Sequence, residues 1–178
     1  LESKMKNNKN VNDNLIDLVS KIGEKITLRR STFLDNNKFT NFCYIHSPIK
    51  KDIGKLGVLL SIDTTKKKKE IENLGKQIAM QVASLSPLAI DKNDLGSDVI
   101  KKEKEIINEE LKNTGKDSKI VEKIAEGKLN KFIAENTLLN QEWIIEPKKK
   151  VRNAIKEVEG KDKIIIKQFV RYKVGEGL

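Results

Sequence analysis

Between Ser97 and Asn136 lies the longest continuous helical signal in the chain, and no other stretch constrains the fold as much. Val99, Ile100, Ile106, Ile107 and Leu111 recur at helical spacing with charges between them. The pattern breaks at Asn113-Thr114-Gly115-Lys116-Asp117. Gly115 suits the left-handed residue just past a helix end, and Asp117 or Ser118 suits the next N-cap. A second stripe follows through Val121, Ala125, Leu129 and Phe132, with Ile120, Ile124 and Ile133 alongside. Two helices joined by so short a break lie antiparallel, so a helical hairpin is predicted over 97–136. Glu103 and Lys104 interrupt the first stripe and Glu109-Glu110 crowds its end, so that arm cannot be buried on all sides. A narrow apolar seam with charged flanks fits two helices that pack on each other and project into solvent.

The rest of the chain can be placed around this hairpin. The lead 1–14 is polar, rich in Asn and Lys, and reads as disordered. Leu15, Ile16, Leu18, Val19 and Ile22 form a short helical stripe ended by Gly23, with Asp13 as its cap. Three strands are predicted next: Ile26–Phe33, Phe39–His46 after a turn at Asp35-Asn36-Asn37, and Leu56–Ile62, which is the most apolar and therefore central. Glu70–Leu85 is helical and stops at Pro87, which cannot donate to a helical ladder. Beyond the hairpin come a segment with the single tryptophan, Trp143, a short helix over Val151–Val158, and an alternating strand over Ile164–Val174 that closes the sheet. The fold class expected is α+β: an antiparallel sheet with helices on one face, its core formed by 15–96 and 137–178, interrupted by the projecting antiparallel hairpin (a coiled coil) at 97–136.

Composition narrows the function classes. At 178 residues with 4% aromatics, aliphatic side chains must carry the packing, and no apolar run approaches the roughly 20 residues of a membrane helix. Cys43 is alone, which rules out an intramolecular disulfide or a cysteine-rich metal site and favours a reducing compartment. The net charge of +10 invites a nucleic-acid reading. Yet the hairpin is neutral, with nine basic and nine acidic residues between Ser97 and Glu135. The excess is spread over termini and loops, with runs at Lys66–Lys69 and Lys148–Lys150 that read as solvated boundaries. No enzyme, metal or cofactor is expected. His46 is the only histidine, and Cys43, three residues away in a strand, points to the opposite face. Gly54 and Gly57 lack a phosphate-loop pattern.

Five motifs in order carry a resemblance: Lys21-Ile-Gly-Glu-Lys-Ile-Thr-Leu-Arg-Arg30, Gly57-Val-Leu-Leu60, Ile78-Ala-Met-Gln-Val-Ala83 with Pro87, Glu126-Gly-Lys-Leu-Asn-Lys-Phe132, and Phe169-Val-Arg-Tyr-Lys-Val-Gly-Glu-Gly177. Together, from about Leu15 to Gly177, they closely resemble bacterial and organellar translation elongation factor Ts. The resemblance implies a guanine-nucleotide exchange factor for elongation factor Tu, working in the bacterial cytoplasm or an organellar matrix. It also implies a core of two related α+β subdomains, of which this chain carries the second with the coiled coil inserted before the last strand. Tyr44-Ile-His46 resembles the family's Tyr-x-His, whose histidine touches the third domain of the partner. Ile22 and Gly23 match a contact turn near the partner's nucleotide-binding domain. In Trp143-Ile-Ile-Glu-Pro147, Ile144 and Ile145 match an apolar pair that also touches it. All five residues are therefore expected at the surface.

The departures bear on function. The family's amino-terminal helical domain and its Thr-Asp-Phe segment, whose Phe loosens the nucleotide, have no counterpart here; Gln81 replaces a histidine and Ser86 a lysine. The chain, beginning without Met and stopping at Leu178, reads as an excised piece carrying docking and dimerisation surface, with a homodimer expected and no direct nucleic-acid or membrane binding. A self-associating scaffold and a basic RNA-binding module are the alternatives.

Overall fold

The computed structural model describes residues 1–35, 37–112 and 117–177, and it divides into two units, 1–33 and 34–178. In the first unit one helix, α1 (Val11–Ile22), is capped at both ends. The Asn10 side chain accepts from the Asp13 amide at 2.7 Å, and Gly23, at φ 70°, donates its own amide to the Val19 carbonyl. The helix thus begins four residues before the predicted Leu15, capped by Asn10 and not by Asp13. None of its residues is buried, and Ile16, Leu18 and Ile22 are exposed. Residues Ile26–Phe33, predicted as a strand, take part in no β-ladder. Their alternation holds only for Ile26 and Leu28 before Arg30 and Thr32 take the same face, so no apolar stripe is long enough to secure a pairing register.

The second unit is built on a three-stranded antiparallel sheet of β1 (Thr40–His46), β2 (Leu56–Asp63) and β3 (Ile165–Lys173), with β2 in the centre. The central place of the most apolar strand follows from its burial: Val58, Leu60 and Ile62 are at most 1% exposed. Of the predicted turn before β1, Asn36 lies outside the described residues; the Asn37 amide bonds the Asp35 carboxylate. Across the sheet, α2 (Lys68–Leu85) presents Ile71, Leu74, Ile78 and Val82 to the same core as Phe42 and Leu60. A Cβ on Gly75 would meet the Phe42 ring at 2.6 Å, so the missing side chain sets how closely α2 approaches β1. Helix α5 (Val151–Glu159) adds Val151, Ala154 and Ile155.

Strand β3 does not alternate evenly, as its sequence suggests. Its register with β2 shifts between Ser61 and Ile62: Ser61 faces Gln168, but Ile62 faces Ile166. The extra residue is a bulge, which moves Ile164 and Ile166 to the core face while Ile165 stays 46% exposed.

Helices α3 (Ser97–Leu111) and α4 (Ser118–Asn136) pack on each other. Val99 and Ile100 join Leu129, Phe132 and Ile133 around Leu95 and Ala89, and Glu110 pairs with Lys128. The break between them, 113–116, lies outside the described residues, while Asp117 caps α4 as expected. Entry and exit of this pair are stitched together: Leu88 donates to the Asn136 carbonyl, and Leu138 and Leu139 donate to those of Ala89 and Ile90. Asp91 ties the same base to α5, accepting from Arg152 at 2.7 Å and Asn140 at 2.9 Å.

Candidate partner-docking surface

Strand periodicity places Phe42, Tyr44 and His46 on one face of β1, and burial falls along them from 4% exposed at Phe42 to an exposed His46 at the strand end. The Tyr44 hydroxyl and His46 Nδ1 share a hydrogen bond of 3.1 Å, with the two rings tilted at 6.2 Å. Among the described residues Nε2 makes no hydrogen bond. His46 also borders an open cleft of about 600 Å³ between the sheet end and the last turn of α2, lined by Leu56, Lys55, Arg171 and Lys173 on one side and by Ala83 and Ser84 on the other. Arg171 reaches across it, donating Nε to the Ala83 carbonyl and Nη1 to Glu176.

Ile144 and Ile145 are positioned by α2 as well. Gln81 is fully buried on that helix. Its amide nitrogen donates to Gln141 Oε1 at 3.1 Å and to the Glu142 carbonyl at 2.9 Å, and its oxygen accepts from the Ile144 amide at 2.9 Å. Gln141 in turn donates to the Glu135 and Leu85 carbonyls. With Trp143 buried at 4% and its amide on the Lys149 carbonyl, residues 141–149 are held as a fixed turn. Ile145 stands 48% exposed at its tip, and Ile144 is half-buried, less open than expected because its amide is drawn in to Gln81.

The C-terminal end of α2 therefore carries both predicted elements of this unit: the His46 cleft against Ala83 and Ser84, and the Ile144–Ile145 turn through Gln81 and Leu85. Leu85 and Leu88, 45% and 60% exposed, add apolar surface there. Ile22 and Gly23, in the first unit, are exposed at the end of α1. The roles of Gln81 and Gln141 were not read in advance, although a glutamine between Ile78 and Val82 on a core stripe is the mark of a buried polar network.

The remaining chemistry is sparse. Among the described residues no cluster of three His, Cys, Asp or Glu could hold a metal ion. Partial burial, with Asp52 adding to it, raises the Cys43 thiol above its usual value. No helix among the described residues is long and apolar enough to cross a membrane.

Residues 1–176 match the family model described as elongation factor TS. The chain belongs to the elongation factor Ts family. It is 40% identical over 164 residues to elongation factor Ts of Nitrobacter hamburgensis, covering 91% of this chain and 53% of that one. With elongation factor Ts of Rickettsia prowazekii it shares 38% over 179 residues, 99% of this chain and 58% of the relative. The Bartonella henselae protein is 38% identical over 175 residues, 96% of this chain and 56% of its own length. The chain thus spans little more than half the length of these elongation factor Ts relatives.

Proposed function

We propose that this chain docks on elongation factor Tu as part of the guanine-nucleotide exchange factor of bacterial protein synthesis, in the cytoplasm. Family membership supports the reading, and the observation that carries it is the pairing of the His46 cleft with the Ile144–Ile145 turn on one end of α2. Exchange is a linkage problem: a partner that binds the nucleotide-free factor more tightly than the loaded one weakens nucleotide binding by the same ratio. In this reading His46, Ile144 and Ile145 supply docking energy from the core (15–96 and 137–178), Ile22 and Gly23 supply a second contact, and 97–136 is an inserted antiparallel coiled coil that projects from the sheet. No enzyme chemistry, cofactor, membrane or nucleic acid takes part. Titration calorimetry against nucleotide-free elongation factor Tu tests it: replacing Ile144 or Ile145 by Ala is expected to weaken binding by about 1–3 kcal/mol if that residue is a buried anchor. Unchanged affinity with both replaced would refute the docking assignment.

Self-association is the second reading, as a two-fold dimer. It is favoured by the sheet face away from α2, where Cys43, Leu59 and Val170 form one cross-strand row and Ile45, Gly57 and Tyr172 the next, none of them buried. Sedimentation equilibrium up to high micromolar concentration is expected to show a concentration-dependent dimer, and a constant monomer mass would exclude it.

A further inference from the structure

Resting on the docking reading above, we propose that the cleft beside His46 is a carboxylate subsite, which receives an acidic side chain of the protein partner between the ammonium groups of Lys55 and Lys173. The register sets the geometry. His46, Leu56 and Lys173 are direct cross-strand neighbours, one row over three adjacent strands, with Tyr44, Val58 and Arg171 in the row behind. Strands lie about 4.8 Å apart, so His46 and Lys173 stand roughly 10 Å apart across an apolar floor of Leu56. Among the residues lining the cleft there is no Asp or Glu, and neither Lys55 nor Lys173 is paired with a carboxylate among the described residues. The cleft faces the C-terminal end of α2, whose partial negative charge opposes an anion. Arg171 answers that charge by bonding the Ala83 carbonyl, and its other bond goes to Glu176, so the two lysines are left for a ligand. Because the guanidinium fork is engaged, the site lacks the bidentate donor that favours phosphate. A single carboxylate on a methylene stem, with its stem on Leu56 and Ala83, is the better complement.

The test compares the Lys55→Gln/Lys173→Gln double variant with Lys161→Gln/Lys163→Gln, which makes the same charge change at the opposite end of β3. Affinity for nucleotide-free elongation factor Tu is measured between 50 and 400 mM salt. The cleft variant is expected to bind at least tenfold more weakly at low salt and with a flatter salt dependence, while the control changes less than twofold. Equal losses in both, or none in either, overturn the proposal and leave the docking reading standing. If the wild-type chain does not bind elongation factor Tu at all, the docking reading fails, and a second measurement still decides the cleft. Amide NMR shifts are followed during titration with an acetylated tetra-glutamate peptide and with its tetra-glutamine counterpart. Glutamate-specific shifts centred on His46, Lys55, Ser84 and Lys173 support the subsite; shifts centred on Lys66–Lys69, or the same shifts with both peptides, overturn it.

Discussion

Two side chains of this molecule do more than their positions in sequence suggest. Gln81 makes all three of its side-chain hydrogen bonds to the turn that presents Ile144 and Ile145. Gln81→Leu keeps the volume but strands the half-buried Ile144 amide and the buried Gln141 Oε1, so urea unfolding should show a loss of about 1–3 kcal/mol. Hydrogen exchange should quicken first at residues 142–146, ahead of the sheet. Gln81→His, restoring the residue usual in the resembled motif, should recover part of both losses. Asp91 is the other. Burial pushes its carboxyl up, and the hydrogen bonds from Arg152, the Lys92 amide and Asn140 outweigh that push, so it ionises below its ordinary value. Its contribution is therefore complete above the unfolded carboxylate value, near pH 4, and is lost as pH falls through the lower folded value. The stability gap between wild type and Asp91→Asn should be widest near pH 6 and close on acidification towards pH 2. A gap independent of pH would show that Asp91 acts through its position alone.

Among the elements, the α3–α4 pair stands apart energetically. It buries Ile107, Leu111 and Ile133 but packs mostly half-buried side chains, and its ends are held together by the backbone bonds between 88–90 and 136–139. Insertions with adjacent ends can be removed at small cost in loop entropy. Replacing residues 97–134 with a short Gly/Ser linker should leave a cooperatively unfolding core, with the melting temperature lowered by several degrees as Ala89 and Leu95 lose their cover. Loss of the cooperative transition would place the pair within the core and end its reading as an insertion. The bulge in β3 belongs to this scale as well: it lets one strand serve the core with Ile164 and Ile166 at one end and present Arg171 and Lys173 to the cleft at the other.

For the molecule as a whole, the proposed function makes docking and nucleotide release separable tasks. A ligand of equal affinity for two states shifts nothing between them, however tightly it binds. No Thr-Asp-Phe segment occurs in this sequence, so the chain should bind elongation factor Tu yet accelerate release of its GDP far less than a full-length relative does. Stopped-flow release of fluorescent GDP at matched saturation measures this, and full-length rates from this chain would move the release machinery into the residues described here.

What was legible in the sequence follows from local rules. Helical stripes and an apolar run fixed α2, α3, α4 and the central β2, because periodicity is imposed by whichever face must leave water. Ordered motifs carried the family, and with it the candidate contacts. Only the tertiary structure decided the rest, since each of those features depends on a partner distant in the chain. Ile26–Phe33 has strand-forming residues but no apolar face long enough to hold a register, so propensity lost to the lack of a ladder. The phase of β3 was set by its pairing with β2, which a single strand cannot reveal. Gln81 looked like a substitution until it met residues 60 and more positions away. The cleft, likewise, is assembled from three strands and a helix end whose charges lie scattered along 178 residues and meet only when the sheet is formed.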